Sequence, residues 1–289
     1  MRQVAKKILG ALCIVIAAAL LILIDNTCVK LTHYTVKSGE IPPQFDGFKI
    51  IQLSDIHGTE FGENNSVLVG KIKRAEPDII VITGDILDSI QKTDIDIEVF
   101  DALLPQLDDV APMYGVSGNH DISASKFIKL SADWEAEHNI EFLENETVTL
   151  SRNGAEIYLS GMDDPKYYDE EKRDKRFYEN LAKLDVPDGF NILLFHRADM
   201  LNMLLDSEFD VVFAGHLHGG QWRIPFIGGV IDQARRPFPE YSGGRYRRGD
   251  KTFIVSCGVG NNQRLFDTEI PFPRIFNMAE IVEVTLEAQ

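Results

Sequence analysis

The chain has 289 residues, room for one large domain or two small ones, and its 44% hydrophobic and 26% charged content is that of a globular protein. A formal net charge of −16 argues against broad electrostatic capture of DNA or RNA, so no nucleic-acid partner is expected. Cys13, Cys28 and Cys257 form no Cys-x-x-Cys pair, and neither a zinc knuckle nor a disulfide framework is indicated.

Residues 8–24 are an uncharged apolar run of 17, spanning about 26 Å at helical rise, near the lower limit for crossing a bilayer. Arg2, Lys6 and Lys7 precede it and Asp25 follows, so the positive-inside rule puts the N-terminus in the cytoplasm and the remainder outside. The rival reading is a cleaved signal peptide. Ala17-Ala18-Ala19 looks like a cleavage site, but five more apolar residues follow it, and a peptidase site belongs after the apolar region. The expectation is an uncleaved single-pass anchor over residues 1–30 in the cell membrane, with one domain over 31–289 on the extracytoplasmic side.

Alternation and β-branched residues predict a strand over 31–37, ended by Ile41-Pro42-Pro43. Apolar runs predict strands over 48–53, 78–82 and 110–116, the last broken only by Pro112. Helical patterns cover 67–72, 95–104 and 126–138, the last with Phe127, Leu130 and Trp134 on one face. This β-α-β-α-β-α half, with polar residues at each strand end, argues for a largely parallel, buried sheet with sites at strand C-termini. The second half reads as strands over 156–159, 191–195, 211–214, 252–256 and 281–286, with an exposed helix over 166–183. A second, mixed or antiparallel sheet packed on the first accommodates them.

The polar strand ends are Asp55-x-His57, Gly84-Asp85, Gly118-Asn119-His120-Asp121, His196 and Gly215-His216-Leu217-His218. Five of the seven histidines fall in this set; His33 and His138 do not and are given no role. Two divalent ions held about 3.5–4 Å apart need a shared anionic bridge and separate outer ligands. Asp85 suits the bridge. Imidazoles mixed with carboxylates favour Mn, Fe or Zn over Mg or Ca.

Taken in order, with Asp88 completing Gly84-Asp85-x-x-Asp88, these blocks resemble the calcineurin-like metallophosphoesterase superfamily. Gly219-Gly220-Gln221 and Pro273-Arg274-Ile275-Phe276-Asn277 are similar to a membrane-anchored bacterial branch of it. The resemblance implies an α/β fold, an α-β-β-α sandwich of two mixed sheets flanked by helices. It implies two divalent cations, one on Asp55, His57, Asp85 and His218, the other on Asp85, Asn119, His196 and His216. It puts His120 beside the substrate as a proton donor to the leaving group and has Asp121 orient it, with Asp88 a loop support. Arg197 is read as a solvated arginine. The activity implied is hydrolysis of a phosphodiester, phosphomonoester or pyrophosphate bond by water that the metals activate.

Residues 216–274 carry nine basic and five acidic residues, a local +4 against −20 for the rest. The Gly-, Pro- and aromatic-rich stretch 225–244 is expected to be a long loop, and with Arg245, Arg247 and Arg248 a basic, aromatic lip over the site. Its partner would be a phosphorylated small molecule or a lipid-linked or cell-wall substrate. Similar anchored members hydrolyse UDP-2,3-diacylglucosamine-type pyrophosphates, a reaction needing access from the cytoplasmic leaflet and so in conflict with the expected topology. A reading from another class is a membrane-tethered scaffold that keeps its metals without catalysis.

Overall fold

Strands that are apolar on both faces need cover on both sides, and this chain provides it with two sheets and two sets of helices. The structure, a computed structural model, describes residues 2–88, 93–166, 169–232, 235–261 and 272–289. Helix α1 (Arg2–Thr27) is exposed along most of its length, and its Lys6–Thr27 portion is long and apolar enough to cross a membrane. Strand β1 (Val29–Ser38) begins one residue after it.

The first half continues with β2 (Lys49–Leu53), α2 (Ser66–Ala75), β3 (Ile79–Thr83), α3 (Thr93–Leu107), β4 (Met113–Val116), α4 (Phe127–Glu137) and β5 (Ile140–Phe142). The second half holds β6 (Glu146–Arg152), β7 (Ala155–Met162), α5 (Glu170–Leu181), β8 (Asn191–Arg197), β9 (Val211–Gly215), the two-residue strands β10 (Arg223–Ile224) and β11 (Gly228–Gly229), β12 (Gly244–Arg248), β13 (Lys251–Val255) and β14 (Ala279–Ala288).

One sheet has the order β1-β14-β2-β3-β4-β5, the other β12-β13-β9-β8-β7-β6. Strands β2 to β5 are parallel neighbours joined through α2, α3 and α4. In the second sheet β7, β8, β9 and β13 are parallel, and antiparallel hairpins close both edges. Strand β3 shows how the layers are specified. Ile79 and Val81 face the inter-sheet core with Leu194, Phe213 and Ile254, while Ile80 and Ile82 lie under Leu68, Phe100 and Leu104 of the helices. Helix α5 and the 3₁₀ turns Ala198–Leu204 cover the outer face of the second sheet through Phe177, Leu201 and Leu204. Burying each such side chain contributes about 1.5–3 kcal/mol, so three apolar layers hold the strand ends rigidly.

Two expectations need correcting. The sequence pattern assigns residues 281–286 to the second sheet, but β14 lies inside the first, parallel to β1 and antiparallel to β2. The short or charged strands β5, β6 and β12 carry no long apolar run, because each is a sheet edge with one side open. Stretch 225–244 is also not structureless, since β11 folds back on β10.

Candidate metal centre

The C-terminal ends of strands from both sheets meet at one edge of the sandwich. Asp55 and His57 follow β2, Asp85 follows β3, Asn119 and His120 follow β4, and His216 and His218 follow β9. His196 comes from β8, where a bulge between Leu194 and Arg197 re-aims the strand end.

Two groups of donor atoms result: Asp55, His57 and His218, and Asp85, His196 and His216, with the atoms of each group within 4.8 Å of one another. Asp85 joins them. Its Oδ2 lies 3.1 Å from His196 Nε2 and 3.7 Å from His57 Nε2. His218 Nε2 is 3.6 Å from Asp55 Oδ1, and His216 Nδ1 is 3.2 Å from His196 Nε2. Asn119 belongs to neither group of charged or imidazole donors, but its Oδ1 is buried without a hydrogen-bond partner.

The residues fit divalent cations. His57 Nε2, Asp85 Oδ2, Asn119 Oδ1 and both ring nitrogens of His218 are buried with no hydrogen-bond partner. An orphaned buried polar atom costs about 1–3 kcal/mol, so five in one place need a common ligand. The imidazoles are also preset. His57 Nδ1 lies 3.2 Å from Leu87 O and His196 Nδ1 2.7 Å from Thr83 O, contacts that fix the Nδ1–H tautomer and leave Nε2 facing inward. Asp55 is held by Ser54 Oγ at 2.6 Å and by the His216 amide at 3.1 Å. The mixed nitrogen and oxygen donor set suits Mn, Fe or Zn.

The backbone is strained here. Asp55, His57, Asp85, His216 and His218 all have positive φ, between 44° and 77°. Non-glycine residues seldom adopt that region, and such residues concentrate at functional sites. Two glycines permit the close approach of the β3 and β4 loops: a Cβ on Gly84 would stand 2.6 Å from Gly118 N, and one on Gly118 would overlap Asp85.

Without cations, the buried charges compete. Burial alone would lower the His196 pKa, but the Asp85 carboxylate outweighs it and pushes the imidazole up to about 10. Burial would raise Asp85, yet His196 and His120 hold it well below its ordinary value. Burial, with Asp85 nearby, lifts Asp55 to about 6 and Asp121 to about 7. Burial lowers His57 to about 4 and His216 to about 3.

His120 stands at the edge of the cluster, its ring edge-on to His57 with centroids 5.0 Å apart. The carboxylate at its Nδ1 is Asp88, 3.6 Å away, rather than the expected Asp121. Asp121 accepts instead from the Leu87 and Gly118 amides, both at 2.9 Å, and so ties the β3 and β4 loops together. Burial would lower the His120 pKa, but Asp85 and Asp88 raise it.

Other expectations change too. Arg197 is buried, not solvated, and its Nε donates to Asp164 at 2.6 Å. Asp199, which the sequence did not single out, brings Oδ1 within 3.7 Å of His216 Nε2; the only hint was an acid three residues after His196. Arg248 stands opposite Lys251 at the start of β13, the other end of that strand from the metal donors, and pairs with Glu240, while Arg245 Nη1 donates to Thr35 O. Arg264, Asp267 and Glu269 lie outside the described residues. His33 and His138 pair with Glu283 and Asp108 away from the cluster.

Residues 48–220 match the family model described as calcineurin-like phosphoesterase. The chain is 28% identical over 271 residues to the uncharacterized metallophosphoesterase YkuE of Bacillus subtilis, covering 90% of this chain and 86% of that protein. It is 30% identical over 278 residues to a transmembrane protein with metallophosphoesterase domain of Bos taurus, covering 89% and 57%. The phosphodiesterase YaeI of Escherichia coli is 26% identical over 225 residues, covering 74% and 76%.

Proposed function

The chain belongs to the calcineurin-like phosphoesterase family and is a metal-dependent phosphoester hydrolase with a dinuclear site, and from that premise we propose that it cleaves a phosphodiester, phosphomonoester or pyrophosphate bond in a cell-envelope or lipid-linked substrate. The observation that carries the reading is the pair of donor groups joined at Asp85, with their buried, unpartnered atoms. In this reading Asp55, His57, Asp85 and His218 hold one cation, and Asp85, Asn119, His196 and His216 the other. Divalent cations there would lower the pKa of a water towards neutrality and neutralise charge on the phosphoryl oxygens.

The protein groups do the rest. Leu87 O and Thr83 O fix the imidazole tautomers, and Ser54 aims Asp55. His120, whose pKa Asp85 and Asp88 raise against the effect of burial, is the group placed to give a proton to the departing oxygen. Asp121 keeps the loops in register. The envelope assignment is supported by the membrane-length helix that ends one residue before the first strand; in this reading 1–30 is an anchor and 31–289 the catalytic domain. Lys6 and Lys7, with Arg2, favour a cytoplasmic N-terminus and so an extracytoplasmic domain.

The test is hydrolysis by the full chain in detergent, chelated and then reloaded with Mn, against phosphomonoesters, phosphodiesters and nucleotide-sugar pyrophosphates. One class is expected to be turned over, lost on chelation and restored by Mn. Turnover indifferent to chelation, or none from any class after reloading, would overturn the reading.

A further inference from the structure

The end of α1 is fastened to the domain. Asn26 Nδ2 donates to Arg274 O and Asn26 Oδ1 accepts from Arg274 N, both at 2.9 Å. A membrane-length helix ends at headgroup depth, and with one residue between α1 and β1 the segment around Arg274 stands at that depth as well.

A small flap grows sideways from this point. Arg223 N donates to Ile275 O at 2.9 Å and Trp222 Nε1 to Pro273 O at 3.0 Å. β10 and β11 then turn back around Pro225-Phe226-Ile227. Val230 N donates to Trp222 O at 2.7 Å and Phe238 N to Val230 O at 2.9 Å. Three such strand spacings put Phe238 only about 14 Å from the segment that Asn26 grips.

The flap's exposed side chains are strongly apolar. Phe226 is 109% exposed, Ile227 69%, Phe238 61% and Phe276 52%, with Trp222 and Ile224 partly exposed beside them. Scattered singly, exposed apolar residues carry no meaning; gathered on one flap, they mark a contact surface. Arg235 and Arg236 are exposed on the same flap, and Arg236 pairs with Asp232 and Asp199. Aromatic and aliphatic tips with arginines at their base are the composition of an interfacial membrane contact.

The flap is also rooted in the metal centre. Asn277 Nδ2 donates to His218 O at 2.7 Å and to Gln221 O at 3.1 Å. Arg274 Nη2 donates to Gly260 O at 2.5 Å, and Gly260 N donates to Asp55 O at 2.6 Å. Asp55 and His218 are therefore two hydrogen-bonded links or fewer from the residues beside the helix end.

We propose that this flap dips into the interfacial layer of the bilayer that holds α1, so that the metal centre opens at headgroup depth and acts on the phosphoester of a lipid headgroup. The substrate half of this rests on the envelope reading above; the docking half rests only on the anchor and the flap. A lipid surface is favoured over a protein because the flap is continuous with the helix that enters the membrane.

The full chain in phosphatidylcholine vesicles tests it, since one tryptophan lies on the flap and the other, Trp134, is buried in the core. Subtracting the emission of Trp222→Phe from that of the unaltered chain isolates Trp222. Lipids brominated high on their acyl chains are expected to quench that emission, and Phe226→Asp with Ile227→Asp to relieve the quenching. Trp134 emission in Trp222→Phe that stays blue-shifted and out of reach of iodide, as burial of Trp134 requires, shows that the fold is kept. Trp222 emission indifferent to brominated lipid overturns docking, whether iodide reaches Trp222 freely or a second copy shields it as protein density rises. The substrate half is read as the ratio of turnover on a headgroup phosphoester in vesicles to turnover on its soluble short-chain counterpart. Loss of that preference in the doubly substituted chain supports it, and an unchanged ratio overturns it. A screen in which no ester is hydrolysed would sink the functional reading while leaving the quenching result to decide docking.

Discussion

Stripping the cations should give the protein an alkaline weakness that the loaded form lacks. In the metal-free chain the buried His196 imidazole faces Asp85 at 3.1 Å and keeps its proton to about pH 10, against an ordinary 6.5. The folded state then binds one proton more than the unfolded state between those values. That stabilisation is complete below pH 6.5 and is lost as the pH climbs towards 10. One proton corresponds to about 1.4 kcal/mol per pH unit, so about 2 kcal/mol should vanish between pH 7 and 8.5. His120 is shifted in the same direction and adds to the slope. His57 and His216 are silent there, being neutral in both states above 6.5. Cys257, pushed by burial up to about 11, acts only above the window. The assay is urea unfolding of the detergent-solubilised chain at several pH values, followed by Trp134, which is packed against Phe100, Phe127 and Phe142. A cation on Nε2 takes the proton's place, so the Mn-loaded chain should show no such slope, and loading at pH 8 should release about one proton or more per chain. Flat stability of the chelated chain from pH 7 to 8.5, or the same slope in His196→Gln, would refute the reasoning.

Asp85→Asn removes the carboxylate shared by the two donor groups; metal content per chain should fall and turnover drop by at least about a hundredfold. Retention of both metals in that variant, measured by atomic emission, would remove Asp85 from the bridge. His120→Ala should cost about 10²–10⁴ in kcat on alkyl esters and much less on nitrophenyl esters, whose leaving group needs no acid; equal losses on both would end the proton-donor assignment. Asp88→Asn should reproduce part of that leaving-group dependence, whereas Asp121→Asn should chiefly lower the melting temperature, because Asp88 faces His120 Nδ1 while Asp121 accepts from the Leu87 and Gly118 amides. Ser54→Ala deletes the hydroxyl that aims Asp55 and should weaken metal binding by about 10–100-fold in a competition titration with a chelator. Gly118→Ala should cost more than about 3 kcal/mol, since the added methyl meets Asp85 backbone and side chain alike; a melting temperature unchanged from the parent would show that the loops have slack.

The ligand blocks were legible because each follows a strand that is apolar on both faces, as with Asp85 after residues 79–83. A carboxylate or imidazole placed there has no apolar neighbour to join and must face the strand-end cleft. What failed to show was whatever depends on pairing across the chain. Strand β14 reads like any other apolar run, and only its ladder with β1 and β2 places it in the first sheet. Strands β6 and β12 are edges, free of the need for two apolar faces, so their sequences carry little signal. The resemblance has Asp121 orient His120, yet its carboxylate turns to two backbone amides while Asp88, 32 residues before His120, takes the imidazole. Arg197 shows the same limit: its burial follows from Asp164, on a different strand's end.

The backbone at the cluster adds what no residue pattern could. Asp55, His57, Asp85, His216 and His218 hold positive φ together, at a cost on the order of 1 kcal/mol each. Those same five provide most of the lone pairs that converge there, and at His57, Asp85 and His218 the strain coincides with buried atoms that have no hydrogen-bond partner. Glycine at any of these positions would relax the backbone but delete the donor, and an ordinary hydrogen-bonding partner would satisfy the donor but leave the strain without purpose. A tightly bound cation pair offsets both terms at once, which is why the left-handed turns occur at the ligands rather than at the neighbouring Ser54, Thr83 or Ser117, whose side chains find hydrogen bonds within the protein.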